Sequence, residues 1–592
     1  MENYVAIVVD NDAKAFESLY DLWNLDAAGD ITVHGATVIH RDKYGYVDVA
    51  KRTAGANART GSGIGSSALL GALGSTNGAG SSGLGADATS VFLPRGRSAV
   101  IAEVTERQTI AIDDLAAHAG GTIFRRAKSD LRGDARYDFA MRSLRRYGLA
   151  VVLALWSCAQ NPSGGTSALP LAAGQTAQAH HRVAHRGDMA SQIQHVVIIV
   201  QENRTVDDLF QFLPGANTQS WGYNSSWQQV SLQPENLAAA YDLSHIHTYF
   251  STEYNGGNMN GFDLEQCKGK CVANAAYAYV PQSQVQPYYT LAETYAFADN
   301  MFESDQGPSF VSHQYLISGT STTSTGSANK ASNNPEDPEG DLVGGCDSPQ
   351  GSLVGVINPK GAEPQNLKMY PCFQRLSIMN EMDAAGVSWK YYQATQGAGL
   401  WNAPDAIQSI WSNPSEMASN VISPSSQVLT DIANGNLASV VWVTPTQAAS
   451  DHPKVNNGSG PSWVASVVNA IGSSQYWSNT AIFITWDDWG GFYDHVSPTI
   501  YNSFELGFRV PLVVVSPYAK PGYVSHGQHE FGSILKFVEE TFNLPSLGTT
   551  DVRADDLSDC FDFTQPMIRY KHVATKYPPR YFATLPAAEP KD

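Results

Sequence analysis

The sequence predicts an α/β protein built on a doubly wound, mostly parallel sheet, preceded by a small ferredoxin-like α+β domain. Three observations carry that expectation. Short continuous apolar runs, such as His195-Val196-Val197-Ile198-Ile199-Val200 and Ala481-Ile482-Phe483-Ile484, read as strands buried on both faces. They alternate with segments of helical spacing, among them Phe373 to Ala385 and Ser533 to Asn543. The stretch before residue 135 has a strand and helix order of its own. At 592 residues and 43% hydrophobic content the chain can support several domains and a sizeable core. A net charge of -19 excludes the basic footprint of a general nucleic-acid binder.

Residues 1–134 read as one small domain. Tyr4 to Val9 is strand-like and Ala13 to Leu25 has helical spacing. Ile31 to Ile39 alternates as a strand, with Tyr44 to Val49 as its partner. Residues 54–85 are mostly Gly, Ser and Ala, too poor in large side chains to make a core, and read as a flexible insert. Ser98 to Val104, Ile112 to Ala117 and Thr122 to Phe124 then give strand, helix and strand. The order β-α-β-β, insert, β-α-β is that of a ferredoxin-like unit. Through YVAIVV and GGTIFRRAKSDL the segment also resembles a small bacterial family of unknown function, often membrane-associated. That likeness carries no catalytic motif, so an interaction or regulatory role with an unidentified partner is expected.

Residues 135–190 combine an export signal with a linker. Met141-Arg142-Ser143-Leu144-Arg145-Arg146 is basic, Tyr147 to Trp156 is apolar, and Ser157-Cys158 follows, the order of a signal peptide ending in a cysteine suited to lipid attachment. The apolar run is too short to span a bilayer. The polar, small-residue stretch Gln160 to Gly187 suits a linker after an export signal. The expectation is an exported enzyme starting at Met141, held in the cell envelope or secreted, with Cys158 as a lipid anchor. A buried helix joining two domains is the alternative.

Residues 191–592 carry the chemistry. The strand Ala481 to Ile484 leads into Asp487-Asp488 and then Gly490-Gly491. Ligands of open α/β sheets gather at the carboxyl ends of strands. Two adjacent carboxylates repel unless a cation or a shared proton intervenes, and hard cations take oxygen ligands. The strand His195 to Val200 delivers a second carboxylate in Gln201-Glu202-Asn203-Arg204. Ala438 to Val443 and Pro511 to Val515 are further strands.

Four segments, HVVIIVQENRTVDDLF, DNMFESDQGPSFVSHQYLISGTS, ITWDDWGGFYDHV and FRVPLVVVSPYAKPGYVSH, resemble the bacterial phosphoesterase family of phospholipases C and acid phosphatases. That family shares the alkaline-phosphatase-like core, and the resemblance covers residues 194–547. It implies Glu202, Asp487 and Asp488 as ligands of a single divalent metal ion of unknown identity, Asn203 as a phosphoryl-holding amide and Ser309 as nucleophile. It implies His245 and His452 as phosphate-facing groups. His495 fits the family pattern as a further catalytic histidine, with a structural partnership to Asp494 as a close second reading. Relatives carry His-x-x-Tyr-Asp-His where this chain has His526-Gly527-Gln528-His529-Glu530-Phe531, which leaves both histidines without an assigned role. His247 and His313 read as supporting or surface groups. The substrate implied is a phosphate ester, a monoester or a phospholipid head-group diester, with attachment to a membrane surface also open.

Cysteine usage suits an oxidising compartment. Cys267 and Cys271 are expected as a disulfide, Cys346 with Cys372 is a plausible second bridge, and Cys560 is left over. Two competing functions remain: a binding protein that has kept the fold without turnover, and a sulfatase-like hydrolase. The second lacks a Cys/Ser-x-Pro-x-Arg signal around Ser309.

Overall fold

The computed structural model describes residues 2–10, 12–27, 31–41, 47–49, 93–94, 96–106, 109–127 and 192–586. The chain divides into two compact units, Met1–Gly174 and Gln175–Asp592. The Gly/Ser-rich insert at 54–85, the signal-like segment with Cys158 and the linker fall outside the described residues.

In the first unit five strands lie in the order Val47–Val49, Ile31–Arg41, Arg97–Glu106, Glu2–Val9, Thr122–Ala127, each antiparallel to its neighbour. Strand periodicity puts Val5, Ile7 and Val9 on one face. They share a core there with Leu19 and Leu22 of the Asp12–Ala27 helix and with Ile112 and Leu115 of the Ile110–His118 helix. The expected elements are present, with ends displaced by a few residues.

The second unit is organised by an eight-stranded mixed sheet. Its order is Val421–Ile422, Trp389–Tyr392, Val440–Val443, His195–Gln201, Thr480–Trp486, Leu512–Val515, Ala296–Ala298, Tyr523–Ser525. Leu512–Val515 runs antiparallel to both neighbours, and the remaining pairings are parallel. The two strands that end in acidic residues are adjacent at the centre, paired from Thr480↔His195 through Trp486↔Gln201. Every residue of Thr480–Trp486 is buried, as the unbroken apolar run requires.

Beyond the carboxyl ends of those strands lies a second apolar cluster. Trp489, Phe492 and Tyr493, from the acidic turn itself, are buried there with Leu243, Phe250, Phe262, Tyr277 and Phe508. Each such ring removes about 150–250 Å² from water, roughly 4–6 kcal/mol of transfer free energy before ordering costs. The turn is therefore fixed by its aromatic residues while its carboxylates face the strand ends. Cys267–Cys271 and Cys346–Cys372 form the two expected disulfides, and Cys560 is a free, buried thiol. No described helix is long and apolar enough to cross a membrane.

Candidate active site

Two backbone turns interlock at the sheet's centre. The amide N–H of Asp487 donates to the Gln201 carbonyl (3.0 Å), and the amide of Asn203 donates to Asp487 Oδ1 (2.9 Å). Asn203 sits at φ 62°, a left-handed conformation that asparagine tolerates better than most residues. Gly490, at φ 61°, faces it: a Cβ there would come 2.5 Å from the Asn203 carbonyl oxygen. Only glycine meets both demands, which explains the Gly490 that follows the acidic pair. The Gly490 amide closes the turn onto Asp488 Oδ1 (2.8 Å).

Ser309 opens the Ser309–Ser318 helix after Pro308, and its hydroxyl donates to Asp488 Oδ2 (3.0 Å). His313 lies one turn along the same helix, on the same face. Its Nε2 is 3.1 Å from Glu202 Oε1 and 3.9 Å from Asp487 Oδ2, and its Nδ1 is 3.4 Å from the Tyr391 hydroxyl. That hydroxyl donates to the Trp401 carbonyl (2.7 Å), so Nδ1–H is the donor toward it. Ligand atoms of Glu202, His313 and Asp487 all lie within 4.8 Å of one another, and all three residues are buried.

This donor set fits a divalent cation. Asp487 Oδ2 and Asn203 Oδ1 are buried with no hydrogen-bond partner among the described residues. Leaving such atoms without a partner costs about 1–3 kcal/mol each, more for a charged group, unless a ligand compensates. Glu303 and Asp305 add to the excess of negative charge. Burial, then mutual repulsion and the nearby Asp488 and Asp487, pushes the Glu303 carboxyl well above its ordinary range. Burial does the same for Asp305 against its bond from the Gly307 amide. Both stand in DNMFESDQGPSF, yet nothing in the spacing marked them as neighbours of Asp487 and Asp488.

His245 and His452 flank the group, with ring centroids 6.0 Å apart. His245 Nδ1 donates to the Leu243 carbonyl (2.8 Å), which leaves Nε2 to accept from Asn203 Nδ2 (3.0 Å), 3.9 Å from Asp488 Oδ2. His452 Nδ1 donates to the Pro453 carbonyl (2.8 Å). It follows Asp451, which accepts from the Tyr288 hydroxyl (2.7 Å) and the Trp486 indole (3.1 Å) and whose carboxyl burial pushes up to about 6.

His495 is not brought to this group. Its Nδ1 meets Asp207 Oδ2 (2.7 Å) and its Nε2 meets Asn217 Oδ1 (3.1 Å). Its expected partner Asp494 instead takes a two-pronged bond from Arg509 (2.8 and 2.9 Å). A buried guanidinium outcompetes an imidazole for a carboxylate that needs two donors. His313, read from the sequence as a supporting or surface group, instead stands against Glu202 and Asp487. Its signal was the spacing Ser309-x-x-x-His313, one helical turn. His526 and His529 pair with Asp299 and Asp555, both at 2.8 Å, and His247 lies 3.4 Å from Glu363.

Fold and site together define a class. The Phosphoesterase family model matches residues 193–545, and the chain belongs to that family. It is 26% identical over 451 residues to the non-hemolytic phospholipase C of Burkholderia pseudomallei, covering 63% of this chain and 59% of that protein. It is 24% identical over 446 residues to the hemolytic phospholipase C of Pseudomonas aeruginosa, covering 63% and 56%. A third relative, phospholipase C A of Mycobacterium tuberculosis, is 24% identical over 440 residues, covering 63% and 78%. The match thus spans less than two thirds of the first two relatives. A solved member of the alkaline phosphatase superfamily from Vibrio parahaemolyticus aligns with 64% of this chain and 71% of its own, at 9% identity and a TM-score of 0.29.

Proposed function

We propose that this protein is a hydrolase of phosphate esters that works through a serine nucleophile beside one divalent metal ion. The observation that carries the reading is the 3.0 Å bond from the Ser309 hydroxyl to Asp488 Oδ2, at the strand ends that also bear Glu202, Asn203 and Asp487. Relatives with phospholipase C activity in their names support the ester class. Glu202, Asp487 and His313 would hold the ion, with Asp488 beside them. A bound divalent ion there supplies positive charge to a phosphoryl oxygen and favours the ionised serine.

The chain's own groups divide the remaining work. Asp488 aims the Ser309 oxygen for in-line attack on phosphorus; the Oγ–P bond forms as the ester P–O bond breaks. Asn203 Nδ2, through the hydrogen it does not give to His245 Nε2, donates toward a non-bridging oxygen, a donor worth about 3 kcal/mol in comparable oxyanion sites. Asp488 Oδ2 takes the Ser309 proton as the Oγ–P bond forms, and water carries a proton from it to the departing alkoxide. Water then attacks the phosphoserine, returning the Ser309 hydroxyl and releasing the phosphate product. The substrate is a monoester or a phospholipid head-group diester.

Export, with Cys158 as an anchor, belongs to the same reading, since a phospholipid substrate and two disulfides suit the cell envelope. The strand order of the first unit supports a ferredoxin-like fold, and the sheet of the second supports an alkaline-phosphatase-like core. The test is turnover of p-nitrophenyl phosphate and p-nitrophenyl phosphorylcholine by the full chain, with and without chelator. Monoester turnover marks a phosphatase and diester turnover a phospholipase C. Turnover of neither by folded, metal-loaded protein overturns the proposal in favour of a binding protein.

A further inference from the structure

A second surface feature lies on the elements that carry His245. The strand Tyr241–Leu243 leads directly into Ser244-His245 and pairs antiparallel with Cys267–Gly269, with Leu243 opposite Cys267. The Ser244 amide donates to the Gln266 carbonyl (2.9 Å). The Cys267–Cys271 disulfide closes a five-residue loop whose Gly269 (φ 104°) could not carry a Cβ, since that atom would lie 2.7 Å from the Ala240 carbonyl oxygen. The loop is thereby held out from the sheet in one shape.

Its surface is both basic and apolar. Lys268 and Lys270 are exposed and make no ion pair with a described residue, in a chain of net charge -19. Leu264 and Val272, on either side of the disulfide, are 55% and 56% exposed. Asp263 ties this segment to a neighbouring hairpin: its two oxygens accept from the Ser225 amide (2.7 Å) and hydroxyl (2.6 Å). The hairpin, Trp221–Tyr223 with Gln229–Ser231, carries Trp227 at its tip, 59% exposed, and Tyr223 beside it. Trp227 is held at φ 58°, which is uncommon for so large a residue.

We propose that this edge, Tyr223, Trp227, Leu264, Lys268, Lys270 and Val272, docks on an anionic lipid bilayer. Tryptophan and tyrosine favour the membrane–water interface, aliphatic tips enter the acyl boundary, and lysines meet anionic headgroups. Charge complementarity selects this occupant, because a strongly acidic protein approaches an anionic surface through a local basic edge. A soluble polyanion would leave Leu264 and Val272 without a role, and a saccharide would leave the lysines without one. The inference deepens the phosphoesterase reading by placing a lipid surface beside His245, but the docking itself needs no turnover.

The test is co-sedimentation of the full chain with vesicles of phosphatidylcholine alone and of phosphatidylcholine with phosphatidylglycerol. Binding is expected to the anionic vesicles, and to weaken with added salt. The K268E/K270E variant should lower that affinity at least about tenfold, since losing each lysine is roughly a fivefold effect and the two together exceed tenfold. The W227A/L264S variant should lower it as well while keeping the salt dependence. Both variants should keep the wild-type melting temperature and the wild-type rate on a soluble phosphate ester. Absence of wild-type binding, equal binding to neutral vesicles, or wild-type affinity in K268E/K270E would overturn the proposal. Such a failure with soluble turnover intact removes docking alone, whereas docking without turnover removes the enzymatic reading.

Discussion

Asp487 shows how the site is set by single atoms. Its Oδ1 is fixed by the Asn203 amide, while Oδ2 has no hydrogen-bond partner among the described residues. Asp487→Asn should therefore fold but bind divalent metal at least tenfold more weakly, measured as ions retained after dialysis against limiting metal. His313→Gln should weaken retention too, whereas His495→Gln should leave it at the wild-type level, since His495 is bonded to Asp207 and Asn217. Adjacency made part of this group legible: Glu202-Asn203 and Asp487-Asp488 each follow an apolar strand, and strand direction fixes where they emerge. His495 misled because a neighbour in sequence need not share a partner in space; Asp494 turns to Arg509. His313 was obscured for the opposite reason, as one helical turn separates it from Ser309 and an isolated histidine with no acidic neighbour in sequence reads as a supporting or surface group.

Elements hold these atoms through a few close approaches and ion pairs. Gly490→Ala should lower stability by about 1–3 kcal/mol, because the alanine needs the same left-handed backbone and its Cβ meets Asn203; a denaturant midpoint measures it. The Ser309–Ser318 helix is anchored by Tyr315, whose hydroxyl donates to Glu505 Oε1 (2.7 Å), an oxygen that Lys330 also contacts at 2.7 Å. Against the burial that would raise it, Lys330 and Arg553 hold the Glu505 carboxyl far below the usual range. A depressed carboxyl contributes stability that is complete above its unfolded value near pH ~4.3 and is lost as pH falls. Lys330→Met should thus cost roughly 3 kcal/mol at pH 7, with the gap to wild type narrowing in acid. Glu539 has the opposite sign, its carboxyl pushed up to about 8 by burial and by Asp551. A raised carboxyl favours folding at low pH and loses that contribution as pH rises from the unfolded value through about 8. Glu539→Gln should gain stability relative to wild type between pH 5 and pH 8, read from melting temperatures across that interval.

At the scale of the whole molecule, the second unit is a sheet whose two central strands end in the buried carboxylates Glu202, Asp487 and Asp488, with the buried Glu303 and Asp305 beside them. Such a concentration of acids stores repulsion that a bound cation relieves, so chelation should lower the melting temperature by a few degrees and metal should restore it. Much of this unit was legible, because buried parallel strands have the least ambiguous pattern a sequence offers; the antiparallel course of Leu512–Val515 was not, since an apolar run has no direction written in it. The convergence of Glu303 and Asp305 on the same site depends on sheet order, which lies beyond local spacing. The central claim, attack by Ser309, is tested most directly by quenching the full chain with acid during turnover and mapping phosphate on its peptides. The account predicts phosphate on the Ser309 peptide and its loss, with turnover, in Ser309→Ala. Turnover at the wild-type rate in Ser309→Ala, with no phosphate at position 309, would contradict it.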